Sequence, residues 1–292
     1  MEWSRIAPRL GLNVPYEWWP AAPLVKEIEA AGFAWIQIPS PPVSVLADST
    51  QLARHASALE AALGTSGLRT VLHAPGSLRT GSRQADRAMD GLLSYTAEVG
   101  GELVVYHVAT LPDGPASEDE LLAETKSLGA HARRAESLGL TIALENLAPV
   151  FPGPELLSFS PLVVRAIANR IDSAAVGICL DVGHANVVAA LRRTDPVELI
   201  GPALDRTVLF HLHDNLGARW GHQDPPELDP LRLDLHLAPG RGTVPWVRLA
   251  PSLVSHQAPL LLEVHPPHRR SAAYLHRRAR RVLGELGTPA LA

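Results

Sequence analysis

Short apolar runs recur along this chain, and several are continuous rather than alternating, as in LVVY, IALE and LLLE. Continuous runs are the pattern of strands covered on both faces of a parallel sheet. They predict strands at Arg9–Val14, Ala34–Pro39, Arg69–His73, Leu103–His107, Thr141–Glu145, Val176–Asp181, Thr207–His213 and Pro259–His265. Between them, apolar positions fall at helical spacing. Pro23–Ala31 stops at Gly32, Asp48–Leu63 at Gly64 and Ala85–Val99 at Gly100, where glycine suits a helix C-cap. Ser117–Leu138 opens on Ser117 as N-cap, carries acids in its first turn and closes at Gly139. Ser160–Arg170 and Asp195–Ile200 each open on a cap residue followed by proline. Val244–His256 and Ser271–Leu286 complete the series. Strands alternating with helices predict an α/β chain, a single (β/α)8 TIM barrel occupying residues 1–292 as one domain. A doubly wound open sheet is the competing architecture. It would not bring the ends of the third to eighth strands around one pocket.

Polar residues interrupt the apolar runs at one recurrent place. Six of the eight runs carry a metal-ligand-type residue at their end: His73, His107, Glu145, Asp181 with His184, His211 and Glu263. Asp234 and His236 add a D-x-H pair between the last two runs. A parallel barrel gathers its strand C-termini on one face, so these residues are expected to converge. Four carboxylates and five imidazoles packed together cannot all be charged and unpaired in a low-dielectric site. A divalent cation is the simplest resolution.

Glu145, Asp181, His211 and Glu263 make a mixed oxygen and nitrogen set for one ion such as Mn²⁺, Co²⁺, Mg²⁺ or Zn²⁺. Such an ion can hold two neighbouring oxygens of a polyol and acidify the C–H between them, giving an enediolate-like intermediate. Glu145 and Glu263, on strands roughly opposite in the barrel, suit removal of a proton on one face and its return on the other. His73, His107, His184, Asp234 and His236 remain to bind substrate hydroxyls or phosphate. Alternatively, they complete sites for two more ions, and a three-zinc site suits in-line phosphoester hydrolysis.

Composition narrows the partners. A net charge of −4 argues against general polyanion binding but leaves room for a local basic patch, so nucleic acid is disfavoured and not excluded; the metal-site chemistry prefers a small sugar or sugar phosphate. The single cysteine, Cys179, excludes a disulfide within the chain and suits the cytoplasm; its apolar setting predicts an inert buried thiol. No apolar run approaches the roughly 20 residues of a membrane span, and MEWSRIAPRL has no signal-peptide core. A homo-oligomer is left open.

Five segments carry a family resemblance: LHAPG at 72–76, ALEN at 143–146, ICLDVGHAN at 178–186, HLHDN at 211–215 and DLHLAPGRGTVPW at 234–246. From Leu68 to His265 the chain resembles the xylose isomerase-like TIM-barrel superfamily, which groups sugar (phosphate) isomerases and epimerases with the endonuclease IV type of apurinic-site nuclease. The resemblance implies metal ligation by Glu145, Asp181, His211 and Glu263. In the epimerase branch it implies acid/base work by Glu145 and Glu263, with His184 near the substrate. In the nuclease branch it implies nine ligands for three zinc ions, and a residue of the right type stands at each: His73, His107, Glu145, Asp181, His184, His211, Asp234, His236 and Glu263. The chain departs from both branches. The nuclease pattern Asp-Thr-Cys-His reads Asp181-Val182-Gly183-His184, and His-Leu-Asn-Asp reads His211-Leu212-His213-Asp214. Where ketose 3-epimerases place an arginine after the seventh strand, Gly217 stands, with Arg219 slightly beyond. The loop before Asp234 is longer than usual, which admits a larger or glycosylated substrate. The leading expectation is sugar isomerisation or epimerisation. The alternatives are a three-zinc phosphodiesterase at abasic DNA sites and a metal-assisted lyase on an oxidised glycoside.

Other features carry weaker expectations. Trp18 and Trp19, after the first strand, could stack on a sugar ring. Gly217–Arg232, with Trp220, is a candidate lid. The P-G-R-G stretch at 239–242 is a tight turn, or a phosphate cradle in which Arg241 would take part. Trp246 is expected to pack at the start of the following helix. The basic run around Arg277, Arg278, Arg280 and Arg281 reads as the solvated face of the last outer helix.

Overall fold

The computed structural model describes residues 3–15, 18, 22–112, 114–150, 153–218 and 233–285. Eight parallel strands pair in sequence order and close on themselves: β1 (Leu10–Asn13), β2 (Trp35–Pro39), β3 (Arg69–His73), β4 (Gly101–His107), β5 (Thr141–Glu145), β6 (Val176–Asp181), β7 (Thr207–Leu212) and β8 (Leu260–Leu262). Helices follow the strands around the outside, so the chain is the (β/α)8 barrel that the apolar pattern predicts.

Successive side chains of a strand point to opposite faces. One set, including Leu72, Val104, Leu144, Leu180, Phe210 and Leu262, packs outward in the main core with the helices. The other set forms a small separate cluster: Trp35, Val71, Leu103, Val105, Ala143, Cys179, Leu209 and Leu261. Both faces are therefore buried, which is why the runs are continuous. The second set also positions the polar residues. Two places after Val71, Val105, Ala143, Cys179, Leu209 and Leu261 come His73, His107, Glu145, Asp181, His211 and Glu263. Each ligand-type residue is thus the next residue on the inward face of its strand. Register sets His107 opposite Glu145 and Asp181 opposite His211, and staggers the other neighbours by one inward step: His73 lies opposite Val105, Glu145 opposite Cys179 and His211 opposite Leu261.

The structure differs from the sequence expectations in several places. The helix after β6 is Val182–Arg192, beginning at once after Asp181, whose side chain caps it by accepting from the His184 amide (2.7 Å). Its residues from Val182 to Ala189 are all buried, so it shows no amphipathic period for a sequence reader to find. The expected helix at Asp195–Ile200 is present as a further short one, Pro196–Ile200, with Asp195 capping it as expected by accepting from the Val197 amide. Ser117 is not an N-cap: the helix is Pro115–Ser137, capped at Gly114, and the Ser117 hydroxyl donates to the Pro112 carbonyl inside its first turn. Finally, β7 and β8 stop early, leaving His213 and Glu263 just past their ends. Of the candidate lid, only Gly217 and Ala218 lie within the described residues. Among the described residues no helix is long and apolar enough to cross a membrane.

Candidate metal centre

The inward-facing strand ends meet in three adjoining clusters. In the central one, His211 Nδ1 lies 2.8 Å from Glu145 Oε1, 3.4 Å from Glu263 Oε2 and 3.7 Å from Asp181 Oδ2. On one side, His73 Nε2 and His107 Nε2 lie 3.2 and 3.1 Å from Glu145 Oε2, so the two oxygens of Glu145 face two clusters. On the other, His236 Nε2 and His184 Nε2 lie 2.9 and 3.3 Å from Asp234 Oδ2. All nine residues singled out at the strand ends and in the D-x-H pair are therefore brought together. In each cluster the ligand atoms lie within 4.8 Å of one another, as a bound ion requires.

Backbone and amide partners fix which ring nitrogen faces the centre. A carbonyl only accepts, so a ring nitrogen bonded to one must carry the proton. His73 Nδ1 donates to Ala74 O (2.8 Å), His184 Nδ1 to Asn146 O (2.8 Å) and His236 Nδ1 to Glu263 O (3.1 Å). Each thereby presents its Nε2 lone pair inward, the orientation typical of ligating histidines. His211 is turned the other way by Gln37. The Gln37 amide nitrogen donates to Glu263 Oε1 (2.8 Å), which leaves its oxygen to accept from His211 Nε2 (2.7 Å). His211 Nδ1 is then free for the central cluster.

Burial and opposed charges act against each other here. Burial alone would raise the pKa of Glu145, but His211, His107 and His73 hold it well below the usual carboxylate value. Asp234 is likewise held low, against burial, by His236 and His184. Burial also opposes ionisation of Glu263, yet His211 and His236 bring it down to about 2. His211 and His184 are raised well above the ordinary imidazole value despite burial, by the acidic groups around them. Even so, this set of charges does not satisfy itself. Asp181 Oδ2, Asp234 Oδ1 and both His213 ring nitrogens are buried without a hydrogen-bond partner. Buried polar atoms are rarely left so. Carboxylate oxygens and imidazole nitrogens turned inward are the donor set of a divalent cation, and the residues present fit one.

Above the clusters opens a cavity of about 420 Å³, within the size of a small-molecule site. Glu145, Glu263, His184 and Asp234 reach it, while Asp181 and His211 lie fully buried beneath. Val14, Pro39, Leu147, Val150 and Leu156 give it an apolar wall, and Asn13 and Gln37 add amides.

Not every expected residue joins the site. Trp18 is 41% exposed, with the Arg269 guanidinium over its ring, and does not line the cavity. Arg241 is exposed on the turn at 239–242. The amides of Gly240 and Val244 and the indole of Trp246 all donate to the Asp214 carboxylate, so a side chain of this chain occupies the expected phosphate position. Trp246 begins the helix Trp246–Ser255, as expected. Trp19 and Arg219 lie outside the described residues. Cys179 is a buried thiol, pushed up by burial. Sequence reasoning missed Gln37, Asn146 and His213. Gln37 had a signal: it follows the inward Trp35 by two places, as each ligand-type residue follows its own inward neighbour. Asn146 holds both the amide and the carbonyl of Asp181, an arrangement that only the fold reveals.

Comparison with known proteins agrees with this architecture. A curated relative, an uncharacterized protein of Methanocaldococcus jannaschii, is 29% identical over 159 residues. The match spans 53% of this chain and 47% of that protein, so the chain covers about half the length of the curated relative it matches. Among solved structures, a D-tagatose 3-epimerase-like protein superposes with a TM-score of 0.69 at 21% identity, covering 95% of this chain and 98% of the other. The 3-keto-D-glucoside 4-epimerase YcjR of E. coli superposes with a TM-score of 0.66 at 17% identity, covering 94% and 98%. At these identities the likeness is one of fold. The family described as xylose isomerase-like TIM barrel matches residues 25–286, and the chain belongs to that family.

Proposed function

We propose that this protein is a divalent-metal-dependent isomerase or epimerase that moves a proton on a sugar or sugar phosphate through an enediolate-like intermediate. The observation that carries this reading is the pair Glu145 and Glu263, whose carboxylates both approach His211 Nδ1 and both line the cavity. Glu145, Asp181, His211 and Glu263 would hold one Mn²⁺, Co²⁺, Mg²⁺ or Zn²⁺. An ion bound there supplies Lewis-acid polarisation of a substrate carbonyl. Glu263 is held ionised by His211 and His236, so it stands in the form that accepts a proton. Its side chain is 14% exposed, against 1% for Glu145, which makes it the more accessible base. Glu145 returns the proton from the other side of the substrate. Asn13 and Gln37 are amides suited to hydroxyl groups, and the apolar wall suits the C–H faces of a sugar and excludes water. The fold shared with a 3-keto-D-glucoside 4-epimerase and a D-tagatose 3-epimerase-like protein supports the class and leaves the substrate open.

Glu263→Gln tests this reading. Solvent deuterium should enter ketoses or sugar phosphates with the parent protein, and the variant should lose about 10²- to 10⁴-fold in that rate. Full exchange in the variant would remove Glu263 as acid/base.

A second reading rests on a separate observation. The His73–His107–Glu145 and His184–Asp234–His236 groups flank the central cluster, and three ions so placed suit phosphodiester hydrolysis. Zinc-dependent cleavage of an abasic oligonucleotide, falling in His236→Ala, would favour it. Absence of cleavage with zinc supplied removes it.

A further inference from the structure

His213 follows β7 and lies outside the strand-end pattern, yet its ring is fully buried beside the third cluster. Its Nε2 is 3.0 Å from Asp181 Oδ1 and 3.7 Å from Asp234 Oδ1, and neither ring nitrogen makes a hydrogen bond. The ring lies flat on His236, with centroids 3.7 Å apart and planes at 9°, and meets His184 edge-on. Room for it comes from Gly183. That residue sits in a helix and has no left-handed backbone to explain a glycine, but a Cβ there would run into the His213 ring. On the far side, His236 adopts φ +48°, a conformation that non-glycine residues rarely take. Three neighbouring elements are thus shaped around one imidazole whose nitrogens make no hydrogen bond and whose Nε2 faces the Asp181 and Asp234 carboxylates.

We infer that His213 is a fourth ligand at the cation site that the family resemblance implies for His184, Asp234 and His236, so that the protein supplies the whole shell. One ligand atom from each lies within 4.8 Å of the others, and Asp234 Oδ1, 3.7 Å from His213 Nε2, is itself without a hydrogen-bond partner. Three imidazole nitrogens and a carboxylate oxygen suit Zn²⁺ or Co²⁺. Four protein ligands complete a tetrahedral shell, which is the form of structural zinc sites, whereas catalytic sites keep a position open. The ion tethers the start of the helix Val182–Arg192, the end of β7 and the Asp234–His236 segment beside the cavity. It leaves no vacant position for a substrate phosphate, which separates this chain from a three-ion hydrolase. The inference goes beyond the epimerase reading and is tested without substrate, so failure of the sugar assay leaves it untouched.

The test is a zinc count. Protein stripped with chelator, reloaded with excess zinc and freed of unbound ion by gel filtration is measured by elemental analysis. His213→Asn should carry one zinc fewer than the parent, or bind that zinc at least about tenfold more weakly. His236→Ala should lose the same single ion, and the double variant no more than either. An undiminished count with parental affinity in His213→Asn overturns the inference, because His213 then only packs. Loss of two ions in the double variant also overturns it, because His213 then serves Asp181 and the central cluster. Should His213→Asn fail to fold, crystals of the parent protein loaded with zinc decide. An anomalous peak about 2.0–2.1 Å from a His213 nitrogen supports the site. A peak beyond bonding distance of His213, or none, overturns it.

Discussion

Gln37 shows how one neutral side chain organises a charged centre. Its amide bonds Glu263 at one end and His211 at the other, so it sets the rotation of a carboxylate and the tautomer of an imidazole together. Partners that orient ligands in this way commonly contribute 10- to 100-fold in metal affinity. Gln37→Ala should therefore keep the fold and weaken central-site affinity by about 10- to 100-fold, as read by competition with a chromophoric chelator. Unchanged affinity would mean that His211 is held by packing alone. Asn146 works one layer further back. It fixes the backbone of Asp181 through two side-chain bonds and, through its own carbonyl, the ring of His184.

At the scale of elements, the loop after β7 is built around Asp214. This buried carboxylate accepts from the amides of Asn215, Gly240 and Val244 and from the Trp246 indole, at 2.8–3.1 Å. Asp214→Ala leaves these buried donors without their acceptor, and at about 1–3 kcal/mol per group the loss should be at least about 3 kcal/mol, visible as a lowered denaturation midpoint. A midpoint within error of the parent would show that the turn stands without its anchor. The strands were legible because burial on both faces writes continuous apolar runs, and the ligand-type residues because a polar group ending such a run is conspicuous. The helix Val182–Arg192 was not legible, because burial on all sides erases the period that marks a helix. His213 was legible only as a departure from a family pattern. Its space depends on Gly183, which is distant in sequence, and no local rule connects the two.

At the scale of the molecule, closure of the sheet converts a repeat of two along the strands into a ring of ligand-type residues. Strands β2 to β8 each carry an apolar residue inward and a polar one at the next inward position, and the staggered register of the closed sheet keeps these around one end of the barrel. The outer helices bury the opposite strand face and hold the ring shut, so the acidic and basic groups cannot separate to find water. This confinement drives the opposed pKa shifts of Glu145 and His211 and leaves buried atoms without partners. The account stands on a divalent metal relieving that conflict. The most direct measurement is elemental analysis of protein purified without chelator or histidine tag. The account predicts two divalent ions per chain, one among Glu145, Asp181, His211 and Glu263 and one among His184, His213, Asp234 and His236. Three zinc ions per chain would move the chemistry to phosphoester hydrolysis. No bound metal, before or after soaking with Mn²⁺, Co²⁺, Mg²⁺ and Zn²⁺, would contradict the account.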